Sequence, residues 1–417
     1  MSEVIPLGWA HKKLGDVAVL TMGQSPASQT YNVEGIGLPF FQGKADFSSR
    51  KAIVRNWCSE PNKIAQAGSV LFSVRAPVGE VNIAPTDCCI GRGLAAIRAK
   101  DADQEFLFQY LCHSKSQFEA VSQGSTFEAI NGNELKEFLF LYPPLLEQRK
   151  IATILSFVDN VIEKTRAQIE KLKDLKTGMM QELLTQGIGH TEFKDSPIGK
   201  IPKTWSMIKV QELLADTKYA LRSGPFGSAL LKSELVNSGI PLLGIDNVHV
   251  EELRSVFKRF VSNEKFQELR KYRVFPNDVM VTIMGTVGRC CVVPEDFGIA
   301  LSSKHVWTLS LDKEKYFPEL LCWQINFSDW VKKQFLNESQ GGVMESISSS
   351  TLKSLMVPVP PIEEQKKIVD VHKILSKRIM RKSDQLRTLI DLKKALMQDL
   401  LTGKVRVKVD SPETVAA

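Results

Sequence analysis

A nine-residue segment of this chain occurs twice. PPLLEQRKI begins at Pro143 and PPIEEQKKI begins at Pro360, an offset of 217 residues. The same offset relates LKTGMMQELLT, which begins at Leu175, to LKKALMQDLLT, which begins at Leu392. Repetition at a fixed offset indicates a fold built from similar units. We therefore predict two related halves.

The repeat is looser towards the start of each copy. IPLGW, ending at Trp9, returns as IPKTW, ending at Trp205, and SVLFSVRAPVG from Ser69 is matched by DVMVTIMGTVG from Asp278. These offsets are 196 and 209 residues, so the second copy carries insertions. The chain thus alternates a variable region with a nearly constant segment, twice.

Each constant segment has the pattern of one long helix. Apolar residues recur at spacings of three and four, which is typical of a coiled-coil seam. About 38 residues at 1.5 Å per residue make a rod of roughly 57 Å, which needs a partner along its length. We predict that the two helices pair antiparallel, the alternative being two separate surface helices. The predicted seam comprises Ile151, Ile154, Val158, Ile162, Ile169, Leu172, Met179, Leu183, Ile368, Val371, Leu375, Ile379, Leu386, Leu389, Leu396 and Leu400.

The variable regions combine short β-branched and aromatic runs with one helical stretch each, which favours an α+β fold. We expect two similar domains separated by the helix pair, with a pseudo-twofold internal repeat. The predicted limits are a first domain at 1–142, a central helix at 143–187, a second domain at 188–357, a distal helix at 358–405 and a disordered tail at 406–417.

Composition and the absence of certain motifs argue against a membrane protein, a metal-binding protein and an enzyme. The net charge of +7 is mildly basic, no stretch is apolar enough to span a bilayer, and no signal peptide is evident. We expect a cytoplasmic protein. The seven cysteines lack CxxC spacing, which predicts buried, reduced thiols and no metal site. YPPL and VPPI lack the acidic or amide residue and the aromatic residue of an amino-methyltransferase motif, and no phosphate-binding loop occurs. We expect no catalytic residue.

Polar loops that contain glycine stand at corresponding places in the two variable regions. MGQSPASQTYN and RSGPFGS lie near the starts, and QGSTF and QGGVM lie near the ends. Loops of this kind are ordinary surface turns in most proteins. Their matched placement in regions that otherwise differ favours a recognition role.

The whole chain resembles the specificity subunit of type I restriction-modification systems. The resemblance rests on the duplicated PPxxEQ(R/K)KI helices ending in LLT, on the join FKDSPIGKIPKTW and on GPFGSALLKSE. It implies two target-recognition domains, each reading half of a split site in double-stranded DNA. It further implies that the helices set the spacing and dock two methyltransferase subunits, through which restriction subunits join. S-adenosylmethionine, ATP and magnesium are then expected on the partners, with no cofactor on this subunit and no membrane association.

In such domains lysine and arginine position the DNA by its phosphates, and Gln, Ser, Thr and Arg in loops read base edges. The candidate DNA-binding residues are Gln24, Ser25, Gln42, Lys44, Arg75, Gln123 and Ser125 in the first domain and Arg222, Ser223, Ser228, Thr286, Arg289, Lys304 and Gln340 in the second. The distal helix carries a net charge of +5 between Glu363 and Lys404, which suits either phosphate contact or an ordinary solvated face. The competing function is a non-catalytic adaptor with two protein-binding modules.

Overall fold

The computed structural model of the chain describes residues 5–123, 129–337 and 346–409. Its contacts divide the chain into two compact units, one formed by Met1–Gln168 with Lys382–Ala417 and the other by Ile169–Arg381. Each unit contains one variable region and part of each long helix. The predicted domain limits assign each helix to a segment of its own, whereas the contacts divide both helices between the two units.

The first variable region alternates short strands with short helices, in the order expected for an α+β domain. Its strands are β1 (Ala10–Lys13), β2 (Ala18–Met22), β3 (Tyr31–Asn32), β4 (Leu38–Phe41), β5 (Trp57–Cys58), β6 (Ile64–Ala65), β7 (Val70–Ser73), β8 (Val81–Ile83), β9 (Cys88–Ile90), β10 (Leu94–Ala99) and β11 (Leu139–Tyr142). Its helices are α1 (Leu14–Val17), α2 (Gln104–His113), α3 (Lys115–Gln123) and α4 (Gly132–Glu137). The long helix α5 (Leu145–Leu183) follows directly.

Three sheets organise this unit. An antiparallel sheet has the order β2-β10-β7-β8, a second sheet has the order β3-β5-β4-β9-β6, and β1 pairs with β11. Strands β4 and β9 run parallel, with Phe41 opposite Ile90. The inner faces of the first sheet and of α2 meet in a core that includes Phe72, Ile97 and Phe106, each fully buried.

The second variable region repeats this plan. Its strands are β12 (Phe193–Ser196), β13 (Gly199–Pro202), β14 (Ser206–Lys209), β15 (Leu221–Ser223), β16 (Ile240–Leu243), β17 (Val248–His249), β18 (Glu252–Leu253), β19 (Phe260–Val261), β20 (Arg273–Val274), β21 (Val279–Thr282), β22 (Cys290–Val292), β23 (Ala300–Ser302), β24 (Val306–Leu309) and β25 (Met356–Val359). Its helices are α6 (Val210–Leu213), α7 (Asn263–Glu268), α8 (Pro318–Phe327), α9 (Asp329–Asn337) and α10 (Ser349–Ser354). The second long helix is α11 (Ile362–Leu401).

The main sheets of the second unit correspond to those of the first, although the five-stranded sheet has a four-stranded counterpart, β19-β16-β23-β20. The order β15-β24-β21-β22 corresponds to β2-β10-β7-β8, and the pair β14–β25 corresponds to β1–β11. The parallel pair recurs as β16–β23, with Leu243 opposite Ser302. The insertions in the second copy supply the additional hairpin β17–β18 and helix α7. The predicted α+β fold with an internal repeat is confirmed.

The long helices run antiparallel within each unit. In the first, Glu147 of α5 binds Arg406 just beyond α11, and Asp159 lies 2.6 Å from Lys393, so later residues of α5 meet earlier residues of α11. In the second, Ile188 beyond α5 donates its N–H to Glu364 at the start of α11. All sixteen predicted seam residues are buried or half-buried. Their three-and-four spacing therefore marks the face that packs, as predicted.

Two smaller expectations can be compared with the structure. All seven cysteines are free and only Cys112 is partly accessible, as the sequence predicts.

The sequence predicts a disordered tail from residue 406, but Arg406 is anchored by hydrogen bonds to Glu147 and to the carbonyl of Leu7. The predicted tail beyond residue 409 lies outside the described residues. Within the described chain, no helix has both the length and the apolar character needed to cross a membrane.

Candidate nucleic-acid interface

The carboxyl ends of the parallel strands β4 and β9 lie side by side and begin two adjacent loops. Gly91, directly after β9, donates its N–H to the carbonyl of Phe41 at 2.8 Å, which holds Gln42 beside the turn at 91–93. In the second domain Ser303, directly after β23, donates in the same way to Leu243 at 2.8 Å. The backbone thus makes residues 91–93 and 303–305 equivalent. We call these segments the 91–93 turn and the 303–305 turn.

A third loop reaches each turn through a glycine. Gly23 donates its N–H to Leu94, and a Cβ at Gly23 would lie 2.2 Å from the carbonyl oxygen of Gly91. Gly224 donates to Ser303, and a Cβ there would lie 2.1 Å from the carbonyl oxygen of Ser302. Such distances are far below van der Waals contact, so only glycine allows the loop to approach. The loops carrying Gln24 and Ser228 are therefore held against the turns.

A fourth loop completes the arrangement. Val74 donates its N–H to Gly93 at 3.0 Å, and Ile283 donates to His305 at 2.9 Å. These bonds bring the β7–β8 loop with Arg75 and the β21–β22 loop with Thr286 to the same edge of their domains. Each domain therefore presents four loops at one place, held by backbone hydrogen bonds between corresponding loops.

The candidate DNA-binding residues of the first domain lie on these loops, but they differ in their exposure and in their contacts within the protein. Gln24, Gln42 and Arg75 are exposed, whereas Ser25 is half-buried and accepts the N–H of Arg92 at 3.4 Å. Lys44 is exposed, but its ammonium lies 2.6 Å from Glu80, which also binds Lys115. Its charge is therefore partly neutralised within the protein. The side chains of Gln123 and Ser125 lie outside the described residues.

The structure corrects the prediction for Arg222. Its guanidinium is buried, donates to the carbonyls of Arg273 and Tyr219 and to the hydroxyl of Ser310, and forms an ion pair with Asp278. All three of its nitrogens are committed inside the domain, which gives Arg222 a structural role. Burial raises the pKa of Asp278 and outweighs the opposing effect of Arg222. Arg222 precedes the glycine loop in sequence, but β15 directs its side chain inward.

The other second-domain candidates vary in exposure. Ser223 is buried on β15, Thr286 and Arg289 are half-buried, and Ser228 and Lys304 are exposed. Gln340 lies outside the described residues. Sequence reasoning missed Arg92, which is exposed in the 91–93 turn at the position equivalent to Lys304. It also missed Arg259, Ser303 and His305. Only the parallel strand pairing, which joins residues far apart in sequence, brings these groups together.

The constant motifs anchor the long helices to their domains. In PPxxEQ, the carboxylate of Glu147 accepts the indole N–H of Trp9 at 3.2 Å, and Glu364 accepts that of Trp205 at 2.9 Å. The following glutamine holds the first turn of the domain helix: Gln148 accepts the N–H of Asp103 at 2.8 Å. Gln365 accepts that of Phe317 at 2.9 Å. The motif is therefore a joint between domain and helix, and nothing in it resembles an active site.

A half-buried cluster of charged and polar side chains in each unit ties the variable region to both helices. Arg50 pairs with Asp159 of α5 at 3.2 Å, and Asp159 also binds Lys393 of α11. In the second unit the order of charges is reversed, because Glu251 of the variable region binds Lys176 of α5 and His372 of α11. Burial acts to raise the pKa of Glu251, but hydrogen bonds from His372 and Lys176 outweigh it, so that pKa lies below its ordinary value.

Several apolar side chains of the helices face away from the seam, at equivalent positions. Phe157 and Ile374, related by the 217-residue offset, are 69% and 67% exposed. Leu175 and Leu392 form a second exposed pair, and Leu145 and Ile362 form a third. Each unit thus carries the same set of three exposed apolar positions. The two halves therefore resemble each other in these exposed positions as well as in the seam.

Comparison with known proteins gives two matches within this chain to one family. The family model of the type I restriction modification DNA specificity domain matches residues 6–174 and again residues 227–387. The chain is similar to the protein named as the MjaX type I restriction enzyme specificity subunit of Methanocaldococcus jannaschii, with 41% identity over 43% of this chain and 44% of that relative. The MjaIX specificity subunit of the same organism is 24% identical over 97% of this chain and 95% of its own length. The chain therefore spans less than half of the first relative and nearly all of the second.

Solved structures agree with the fold. The specificity subunit of a type I restriction-modification system from M. genitalium covers 98% of this chain and 99% of its own length, with a TM-score of 0.56 and 15% identity. A chain from a type I system solved to describe complex assembly and conformational transition covers 96% of this chain and 100% of its own length, with a TM-score of 0.61 and 18% identity. At these identities the likeness establishes the architecture of two similar domains and two long helices.

Proposed function

The chain belongs to the type I restriction modification DNA specificity family, and on this premise we propose that it reads a bipartite, asymmetric site in double-stranded DNA. One observation carries the proposal: two four-loop surfaces are built on corresponding strands and loops but differ in side chains. Duplex DNA offers two half-sites to two similar domains. Because the side chains differ, the half-sites should differ in sequence.

The subunit has no reaction of its own in this proposal. Methylation and cleavage belong to partner subunits, which bind S-adenosylmethionine, ATP and magnesium. Among the described residues, no group of three or more His, Cys, Asp or Glu side chains is placed to hold a metal ion. A chain that reads chromosomal and invading DNA acts in the cytoplasm. The candidate reading residues are the exposed or half-exposed members of the loops: Gln24, Ser25, Gln42, Arg75, Ser228, Thr286, Arg289 and Lys304.

Genome-wide methylation mapping of the complex with its methyltransferase tests this function. Replacing Gln24, Ser25 and Gln42 by alanine should relax the first half-site and leave the second unchanged, with each lost bidentate contact costing about 1–3 kcal/mol. Ser228→Ala should act on the second half-site only. If first-domain changes alter both half-sites equally, the assignment of one half-site to each domain is wrong. If the complex binds no DNA but the chain binds other proteins, the adaptor function replaces the proposed DNA-reading function.

We further propose that the exposed apolar positions dock two methyltransferase subunits, one on each unit, after which restriction subunits join through the complex. Phe157→Asp and Ile374→Asp should each remove one methyltransferase, and the double variant should remove both. Thr388→Asp, an exposed polar position on α11, is the matched control. Native mass spectrometry with excess partner measures the stoichiometry. A wild-type complex with a single methyltransferase would contradict two equivalent surfaces.

A further inference from the structure

A cavity of about 280 Å³ opens beside the glycine loop of the second domain. Its polar side is formed by Arg259 and by Ser303, Lys304 and His305 of the 303–305 turn. Its other walls are mostly apolar and include Pro225, Leu230, Leu231, Leu235 and Leu242, and Lys232 also lines it. This mostly apolar lining offers few partners for the oxygens of a phosphate, so a group that makes its polar contacts along one edge fits the cavity better.

Three polar atoms at this side of the cavity have no hydrogen-bond partner in the part of the chain that the structure describes. Ser303 is only 5% exposed, and its hydroxyl has no hydrogen-bond partner among the residues that the structure describes. The same holds, within residues 5–123, 129–337 and 346–409, for Nδ1 of His305 and Nε of Arg259. Buried polar atoms are nearly always paired in folded proteins. Several orphaned atoms around one cavity therefore point to a ligand that supplies the missing partners.

The charges at the cavity define the chemistry of that ligand. Lys304 and Arg259 can only donate hydrogen bonds. Burial, followed by the neighbouring charges of Lys304 and Arg259, lowers the pKa of His305. A neutral imidazole offers one donor and one acceptor, and the hydroxyl of Ser303 adapts to either role. Donors therefore dominate, which suits an edge rich in acceptors. In the DNA major groove that edge is guanine, through O6 and N7.

We propose that the 303–305 turn reads a guanine of the second half-site, with Lys304 donating to its acceptor edge and Ser303 and His305 completing the contact. The inference rests on the proposed function and adds the residues and the base. Arg259 acts as a positioning residue, since its ion pair with Asp246 holds its charge at the cavity wall. The sequence repeat does not reveal this site, because the equivalent 91–93 turn replaces Ser303 and His305 by glycines.

The test uses the full chain assembled with its methyltransferase. Lys304→Ala should leave the first half-site unchanged and convert one specified guanine of the second half-site to a degenerate position. Discrimination at that position should fall by roughly 5- to 150-fold, the range expected for a lost specific base contact. His305→Ala and Ser303→Ala should relax the same position. Binding to oligonucleotides substituted one base at a time measures the effect, and methylation mapping gives an independent readout.

Lys271→Ala is the matched control, because it removes the same charge from an exposed position of the same domain away from the four loops. It should leave specificity intact. Uniform weakening by Lys304→Ala on all sequences, with a smaller salt dependence, would identify a phosphate contact and overturn the inference. Unchanged base discrimination by the Lys304→Ala variant would also overturn the inference. A retained first half-site and an unchanged melting temperature show that the variants fold. Failure of the wild-type complex to read any bipartite site would instead reject the proposed function.

Discussion

The indole nitrogen of Trp205 lies 2.9 Å from a carboxylate oxygen of Glu364 and donates a hydrogen bond to it. The same carboxylate accepts the N–H of Ile188 and contacts His190 at 2.8 Å. One side chain at the start of α11 therefore holds the domain, the linker after α5 and the helix together. Trp205 is almost completely buried, so its N–H has no access to water.

Glu364→Ala should destabilise the second unit, because it leaves the buried indole N–H of Trp205 without an acceptor. A stranded buried donor costs about 1–3 kcal/mol. Urea unfolding followed by tryptophan fluorescence measures the change. Glu363→Ala, at the exposed neighbouring position, is the control and should be nearly neutral. Equal effects of the two variants would show that the Trp205 hydrogen bond contributes nothing.

Arg222→Ala should unfold the second domain and not merely relax its specificity. It leaves the carboxylate of Asp278 buried without its ion-pair partner, and breaking such a pair costs about 3–5 kcal/mol. Circular dichroism and limited proteolysis check the fold. Ser228→Ala, on the exposed part of the adjacent loop, should leave the fold intact. A folded Arg222→Ala protein with altered base preference would contradict the structural role and indicate that Arg222 contacts DNA bases.

Arg92→Ala should relax the first half-site at one position, because Arg92 occupies in the 91–93 turn the place that Lys304 occupies in the second domain. Methylation mapping reports the half-site that changes. Arg98→Ala, an exposed arginine on the neighbouring strand β10, should leave the recognised sequence unchanged. An effect of Arg92→Ala confined to the second half-site would break the equivalence of the two turns.

The contacts of Glu251 with Lys176 and His372 predict how the stability of the second unit depends on pH. Its pKa is lower in the folded protein than the ordinary 4.5. Its contribution to stability is therefore complete above about pH 4.5 and is lost as the pH falls through the folded-state pKa. Glu251→Gln should remove this part of the pH dependence. Urea midpoints measured from pH 7 down to pH 3 test this, and parallel curves for the two proteins would contradict it.

Four residues inserted into each long helix should lengthen the DNA spacer and leave both half-sequences unchanged. Four residues add about 6 Å and slightly more than one turn, so the seam faces stay approximately aligned. Insertions after Gln168 and after Arg381 fall at the boundary between the compact units. Methylation mapping compares the spacer length with that of the wild type. A change in base identity at constant spacing would refute the role of the helices as a spacer.

The sequence predicts the long helices well, because a seam needs only local periodicity. Every seam residue from Ile151 to Leu400 is at least half-buried, as the spacing requires. The sequence also places Gln24 and Gln42 in exposed loops, since glycine and polar residues mark surface turns. The sequence-based prediction fails at Arg222. Side chains alternate between the two faces of a strand, and this alternation, not the nearness of a loop, decides that Arg222 points inward. Arg92 and His305 need the parallel pairing of β4 with β9 and of β16 with β23, which no local pattern contains.

Arg406 binds Glu147 and the carbonyl of Leu7, so the first unit incorporates some of the final residues that the structure describes. The second unit, in contrast, is one continuous stretch, Ile169–Arg381. During synthesis the ribosome therefore releases every residue of the second unit before the first can be completed. The core of the first unit lacks Leu400 and Leu401 of α11 until Lys382 and the residues after it emerge. Translation thus delivers the whole of the later-encoded unit before the earlier-encoded unit is complete.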